Sequence, residues 1–257
     1  MLLPLQVDIL YGPVNSRRLG RSLGINLMPG AYKLCSFNCV YCHYGWTKVH
    51  TLDASQARQD LPLFDQVVER IAIAARSALD FDYLTFSGNG EPTLYPQFAE
   101  LVDEVIHIRN IYRPGVKIAL LSNATGLVRP EVRTSIPKID FPLFKLDAGT
   151  EETFRVINRP AKGVDFAQIV EHLVSLEHIN IQTTLIDGSP SNVEGRELYA
   201  YFQLLARIRP KEAHIYSIDR PVPHAQLVLV PPQRLEEIAR WGEEETGVRI
   251  RAFYPRR

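Results

Sequence analysis

The chain has 257 residues, 46% hydrophobic and 23% charged, and its 29 Lys and Arg balance 29 Asp and Glu, so the formal net charge is zero with histidine neutral. This describes a soluble globular protein long enough to bury a substantial core, and it excludes one that holds nucleic acid by bulk basicity while leaving room for a local basic surface. No stretch approaches the roughly 18 uninterrupted apolar residues of a membrane-spanning helix, and the N-terminal MLLPLQVDILYG lacks both a basic start and a long apolar run, so a cytoplasmic location is expected.

From about Ser22 the sequence switches repeatedly between short β-type runs and longer helical patterns, the signature of βα units and a parallel sheet. Leu23, Ile25 and Leu27 alternate as a first strand. A cysteine-bearing loop follows, then a helix after Asp60 with Pro62 in its first turn and Leu63, Val67, Ile71, Ala74 and Ala78 at helical spacing. DYLTFS (82–87) is the second strand, and Phe98, Leu101, Val102 and Val105 mark its helix. KIALLS (117–122) is the third, followed by a short helix near Pro130, and FPLFKL (141–146) is the fourth. A helix around Phe166, Ile169, Val170 and Leu173 leads to INIQTTLI (179–186), and one around Leu198, Tyr201, Phe202 and Leu205 leads to AHIYSI (213–218). A helix over Leu235, Ile238, Ala239 and Trp241 and the run VRIRAFY (248–254) close the chain. No linker or composition break divides it, which predicts a single domain over 1–257 with a core over about 20–254 and residues 1–20 as an N-terminal extension.

The turns after the strands carry more unusual polar chemistry than those before them: GNGEPT, NATG, DAGT, DGSPSN and DRPVPH in order. In parallel βα barrels working groups gather where the strands end, so the expected fold is α/β, a partial (βα)6 TIM-like barrel with one side open to something larger than a metabolite.

The only three cysteines, Cys35, Cys39 and Cys42, fall within eight positions, an odd number that cannot close a disulfide set. Three readings are open. Positions i, i+4 and i+7 form one helical stripe, so the three can be small buried core residues. They can be part of a structural zinc site, with His43 or His50 as the fourth ligand. Or they can hold an iron–sulfur cubane that leaves one iron without a protein ligand and open to a small molecule.

The spacing Cys-x3-Cys-x2-Cys, with Tyr41 before the third cysteine, resembles the radical S-adenosylmethionine (radical SAM) superfamily. The resemblance implies a 4Fe-4S cluster on Cys35, Cys39 and Cys42, with S-adenosyl-L-methionine chelating its open iron. It further implies that Gly88-Asn89-Gly90-Glu91-Pro92 stands for a Gly-Gly-Glu-Pro-like motif that meets the amino group of the methionine end, with Asn89 interrupting the first glycine pair. Glycines let backbone come close to a ligand and a carboxylate complements an ammonium. By the same resemblance Ser122 and Asn123 face the ribose hydroxyls, while Lys145 and Asp147 face the cofactor and Lys145 reaches its carboxylate. Plainer readings stay open: Asn123 as a turn residue before Gly126, and Asp147 as cap of a helix starting near Thr150, with Lys145 an inward residue paired with it.

GPVNSRRLGRSLG (12–24), the cysteine loop, SGNGEPTL, LSNAT, KLDAGT, QTTLIDG and YSIDRPVP together look like a bacterial and archaeal group of small radical enzymes grouped loosely with the wyosine tRNA-base synthases. That likeness implies reductive cleavage of S-adenosylmethionine, hydrogen abstraction from a substrate, with a tRNA or a nucleotide as the candidate, and a flavodoxin or ferredoxin as electron donor. It supports the cofactor more firmly than the substrate. Alternatives are activation of a glycyl-radical enzyme and a non-catalytic zinc or iron–sulfur barrel. With no fourth cysteine, an auxiliary thiolate-bound cluster is excluded. Substrate-side candidates are Asp219, Arg220 and His224 after the sixth strand, against a proline-flanked turn that only fixes loop shape. Arg17 and Arg18, with Arg21, are candidates for phosphate, against solvated surface. Tyr216 can donate a hydrogen atom, whereas Tyr199 and Tyr201 fall in a helix and read as packing.

Overall fold

The computed structural model describes residues 2–255; Met1, Arg256 and Arg257 lie outside them. The described residues form two compact units, one of Leu5–Ser36 and Thr47–Pro142, the other of the N-terminal residues up to Pro4, Phe37–Trp46 and the chain from Leu143 onward.

In the first unit β1 (Leu10–Ser16) and β2 (Gly20–Ile25) make an antiparallel hairpin, with Leu10 opposite Ile25 and Ser16 opposite Gly20. After α1 (Phe64–Arg76), β3 (Tyr83–Phe86) runs parallel to β2; after α2 (Phe98–Tyr112), β4 (Lys117–Ser122) runs parallel to β3, and α3 (Pro130–Ser135) follows. Leu23, Ile25, Leu84, Phe86, Ile118 and Leu120 are buried, as expected of parallel strands covered on both faces. Each such side chain contributes about 1.5–3 kcal/mol. The buried stripe of α1 is Val67, Ile71, Ala74 and Ala75. Leu63, expected on that face, is 65% exposed one residue before the helix, and Ala78 lies past its end. β1 lies within the expected N-terminal extension and is held by tertiary contact: a Cβ at Gly24 would meet the Tyr11 ring at 2.1 Å, so the missing side chain seats that ring, and Tyr11 Oη pairs with Ser87 Oγ at 2.5 Å.

The second unit starts within β5 (Phe141–Lys145). α4 (Glu151–Ile157) and α5 (Phe166–Val174) lead to β6 (Asn180–Gly188), and α6 (Gly195–Ile208) leads to β7 (Ala213–Ser217). β8 (Leu227–Leu229) folds back antiparallel on the end of β6, and α7 (Pro232–Thr246) precedes β9 (Ile250–Phe253). β5, β6, β7 and β9 pair in parallel, so the final run is a further parallel strand. Tyr201 is buried in α6 against Thr183 Oγ1 and packs, as expected, whereas Tyr199 is exposed. Among the described residues no helix is long and apolar enough to cross a membrane.

Candidate cluster and cofactor site

In the first unit the turn after β3 grips the strand that delivers Cys35. Leu34 N–H donates to Asn89 O at 3.2 Å, and Glu91 N–H donates to Leu34 O at 3.3 Å. A Cβ on Gly90 would stand 1.6 Å from Leu34 O, so the glycine is required by the residue before Cys35. Gly88, at φ +124, supplies a left-handed turn against Asn26. Asn89 is fully engaged: its side chain donates to Gln6 O and Pro29 O and accepts from Gln6 N–H, and its N–H donates to Asn26 Oδ1.

Glu91 is buried. Its carboxylate accepts from Thr93 N–H at 3.0 Å, Thr93 Oγ1, Ser122 Oγ at 2.8 Å and Asn123 N–H at 2.6 Å. Burial pushes this carboxyl above its ordinary value, and those donors oppose the shift. Asn123 Oδ1 accepts from Thr125 N–H and Oγ1, as a turn residue does, and its Nδ2 donates to Ser36 Oγ at 2.9 Å and to Cys35 Sγ at 3.6 Å. Glu91, Ser122, Asn123 and Cys35 are thus one connected group. Arg17 and Arg18 are not part of it: they occupy the β1–β2 turn, before the start of β2, whereas these groups follow the C-terminal ends of β3 and β4.

In the second unit the loop bearing Cys39 and Cys42 sits on the end of α4. Asn38 N–H donates to Asn158 O and Arg159 O, Val40 N–H donates to Ile157 O, and Phe37 bridges Pro160 and lies edge-on to Phe154. Val40 packs with Tyr41, Ile157, Ile186 and Ile218, and Cys39 rests on this cluster. Asp147, with no exposed side-chain surface, gathers four donors: the Tyr41 phenol, Asn158 Nδ2 at 2.7 Å, Thr184 N–H at 2.8 Å and Lys145 Nζ at 2.9 Å. Lys145 Nζ also donates to Thr184 Oγ1 at 2.7 Å and Tyr216 Oη at 3.1 Å and stands over the Tyr41 ring at 4.8 Å. Burial works against this ammonium, but Asp147 and Tyr216 more than offset it and Lys145 stays protonated above the ordinary lysine range. Burial, with Asp147 next, likewise raises the Tyr41 phenol. The cap of α4 is Thr150, which accepts from Thr153 N–H; Asp147 has the pairing role instead.

Asn158, which carries no motif in the sequence, joins this group. Its Nδ2 lies 3.4 Å from Cys39 Sγ and 3.3 Å from Tyr41 Oη. Past β7, Asp219 Oδ1 is 3.8 Å from Nε2 of His43, Arg220 is exposed, and His224 Nδ1 is buried without a hydrogen-bond partner.

None of the three cysteines is in a disulfide. Among the described residues no group of three or more His, Cys, Asp or Glu side chains is arranged to hold one metal ion, and His50 Nε2 is 3.2 Å from Ser36 O. Amide donors at Cys35 and Cys39 suit sulfurs that carry negative charge.

The family model for the radical SAM superfamily matches residues 31–199, well over half of the chain. The chain belongs to the radical SAM superfamily. Members use a 4Fe-4S cluster and S-adenosylmethionine, and the donor set of the cysteine loop fits that cluster. Over 219 residues this radical SAM chain is 34% identical to a UPF0026 protein of Methanocaldococcus jannaschii, covering 84% of the chain and 65% of that protein. Over 251 residues it is 26% identical to a Brachyspira hyodysenteriae protein named GTPase Obg, covering 96% of the chain and 35% of that protein. The chain therefore spans less than two thirds of the length of these two relatives. Among solved structures, TYW1 with a lysine-pyruvate adduct bound aligns at a TM-score of 0.58 and 19% identity over 88% of this chain and 75% of that one. That likeness shows the fold alone, α/β of the partial TIM-like barrel class.

Proposed function

We propose that the chain is a single radical SAM domain over 1–257, cytoplasmic, in which Cys35, Cys39 and Cys42 hold a 4Fe-4S cluster and the turns after the strands hold S-adenosylmethionine. The observation that carries the reading is the cysteine loop: the three cysteines of the chain lie at superfamily spacing inside the matched segment, and two of the sulfurs meet amide donors. Held there, the cluster and S-adenosylmethionine would supply one-electron reductive cleavage of the sulfonium and hydrogen abstraction from the substrate.

The chain's own residues bind and orient. Lys145, kept an ammonium by Asp147, offers charge to the methionine carboxylate. Glu91 braces Ser122 and the backbone of Asn123, so the turn facing the ribose does not shift. Gly88, Asn89 and Gly90 shape the turn beside the amino group, and Tyr41 closes the loop toward Asp147. Val40, Ile157, Ile186 and Ile218 keep water from beneath Cys39. Asp219, Arg220 and His224 face the substrate, a tRNA or nucleotide, and a flavodoxin or ferredoxin supplies the electron.

Anaerobic reconstitution tests this. About four irons per chain, an electron-spin signal that changes on adding S-adenosylmethionine, and 5′-deoxyadenosine formed under reduction are expected. Cys39→Ala abolishes that product. Stoichiometric zinc in a colourless protein, or retained product in the variant, overturns the reading.

A further inference from the structure

We propose that Asn158 is a positioning residue for Cys39: its amide N–H fixes the sulfur, stabilises negative charge on it and so raises the reduction potential of the cluster that the sulfur carries. The inference rests on the radical SAM reading above and adds to it a residue outside every motif that reading uses.

Asn158 is 1% exposed and closes α4, its N–H donating to Phe154 O and its carbonyl accepting from Asn38 N–H, the residue before Cys39. The backbone of Asn158 thus anchors the loop whose sulfur its side chain meets. The side chain has one orientation open to it. Asp147 Oδ2, 2.7 Å away, only accepts, so the nitrogen end must face it; a flipped amide would set oxygen against carboxylate oxygen. With one hydrogen on Asp147 Oδ2, the other is directed to the side of Cys39 Sγ at 3.4 Å and Tyr41 Oη at 3.3 Å. The other end contributes nothing to this choice, because Oδ1 is buried with no hydrogen-bond partner. A buried amide oxygen left without a donor is unfavourable, so the orientation is set by the nitrogen end and its acceptors.

The donor side matters for charge. Reducing a thiolate-bound cluster adds an electron that spreads onto its sulfurs, and an N–H aimed at one of them favours the reduced form; hydrogen bonds to the sulfurs are among the factors that set such potentials. Lys145 and Asp147 determine where Asn158 points, so the buried ion pair acts on Cys39 through this amide.

The test is a redox titration, followed by electron-spin resonance, of the full chain reconstituted anaerobically as wild type, Asn158→Leu and Asn158→His. Leucine removes the donor at similar volume; histidine can return an N–H. The leucine variant is expected to keep the wild-type iron content while the ratio of reduced to oxidised cluster at a fixed potential falls about tenfold, equivalent to ~59 mV for a one-electron couple, and histidine is expected to recover part of the loss. Should leucine load less iron, Asn158→Ala, which only removes atoms, carries the same expectation. An iron-loaded donorless variant with the wild-type potential overturns the inference and leaves the radical SAM reading standing. A wild-type chain that takes up no cluster overturns both.

Discussion

Asp147 shows what a single side chain decides here. Its carboxylate has no exposed surface and accepts from Tyr41, Asn158, Thr184 and Lys145, so it fixes at once the phenol before Cys42, the amide on Cys39 and an ammonium. Asp147→Asn keeps the shape and removes the charge. Lys145 then stays buried without a counter-charge, a loss of about 3–5 kcal/mol when one partner of a buried pair is deleted. The pH dependence follows from the sign of the shift. In the wild type Lys145 is held above the ordinary value of about 10.4, so its contribution is complete below that pH and is lost only as pH climbs through the folded value. In the variant only Tyr216 is left to oppose burial, the largest influence, so the folded value drops and stability rises as the pH rises and the proton leaves. Urea unfolding at pH 7 and pH 9.5 is expected to show the larger difference from wild type at pH 7; a difference under about 1 kcal/mol, or one equal at both pH values, would mean the pair is solvated.

Among the elements, the contact between the turn after β3 and the segment leading to Cys35 is the tightest restraint on the cysteine loop. Gly90→Ala puts a methyl against backbone that cannot rotate away, since its Cβ meets Leu34 O at 1.6 Å. Overpacking of this kind costs about 1–3 kcal/mol, and because Leu34 precedes Cys35 the iron content is expected to fall too. Gly115→Ala, with nothing within 4 Å, is expected to stay within about 0.5 kcal/mol and to load normally; equal behaviour of the two variants would refute the clamp. The glycine is visible in the sequence as a place where backbone comes close to something, but the something is Leu34, a residue far away along the chain. The same limit hides two strands. The helices after β3 and β6 announce themselves by period, as do the buried strands. β1, carrying Gly12 and Pro13, is held by Tyr11 lying on Gly24, and the short exposed β8 is held by its register on Ile186–Gly188. Neither signal is local. Asn158 is invisible for that reason as well: one asparagine past a helix end has no pattern, and its partners come from other segments.

Across the whole molecule, charge is balanced, so any nucleic acid must be held by a local basic surface rather than by net attraction. The cysteine spacing and the polar turns make the chemistry legible, because ligand sets are written in short runs of sequence; the position of Arg17 and Arg18 is not, because only the β1–β2 hairpin determines which end of the strands they occupy. They precede β2, whose six residues at about 3.3 Å each set them roughly 20 Å from the C-terminal strand ends. A free nucleotide reaching the Glu91 and Asn123 turns is too short to touch both, whereas a tRNA is long enough. The two substrates therefore separate in one experiment. If tRNA is the substrate, its binding constant falls steeply with salt, and replacing Arg17 and Arg18 with alanine lowers the slope of log K against log salt by about 0.7–0.9 for each phosphate that is no longer neutralised, while binding of a mononucleotide is unchanged. A wild-type slope retained in the double variant would remove these arginines from the substrate path, and salt-independent binding would exclude tRNA and leave a small molecule.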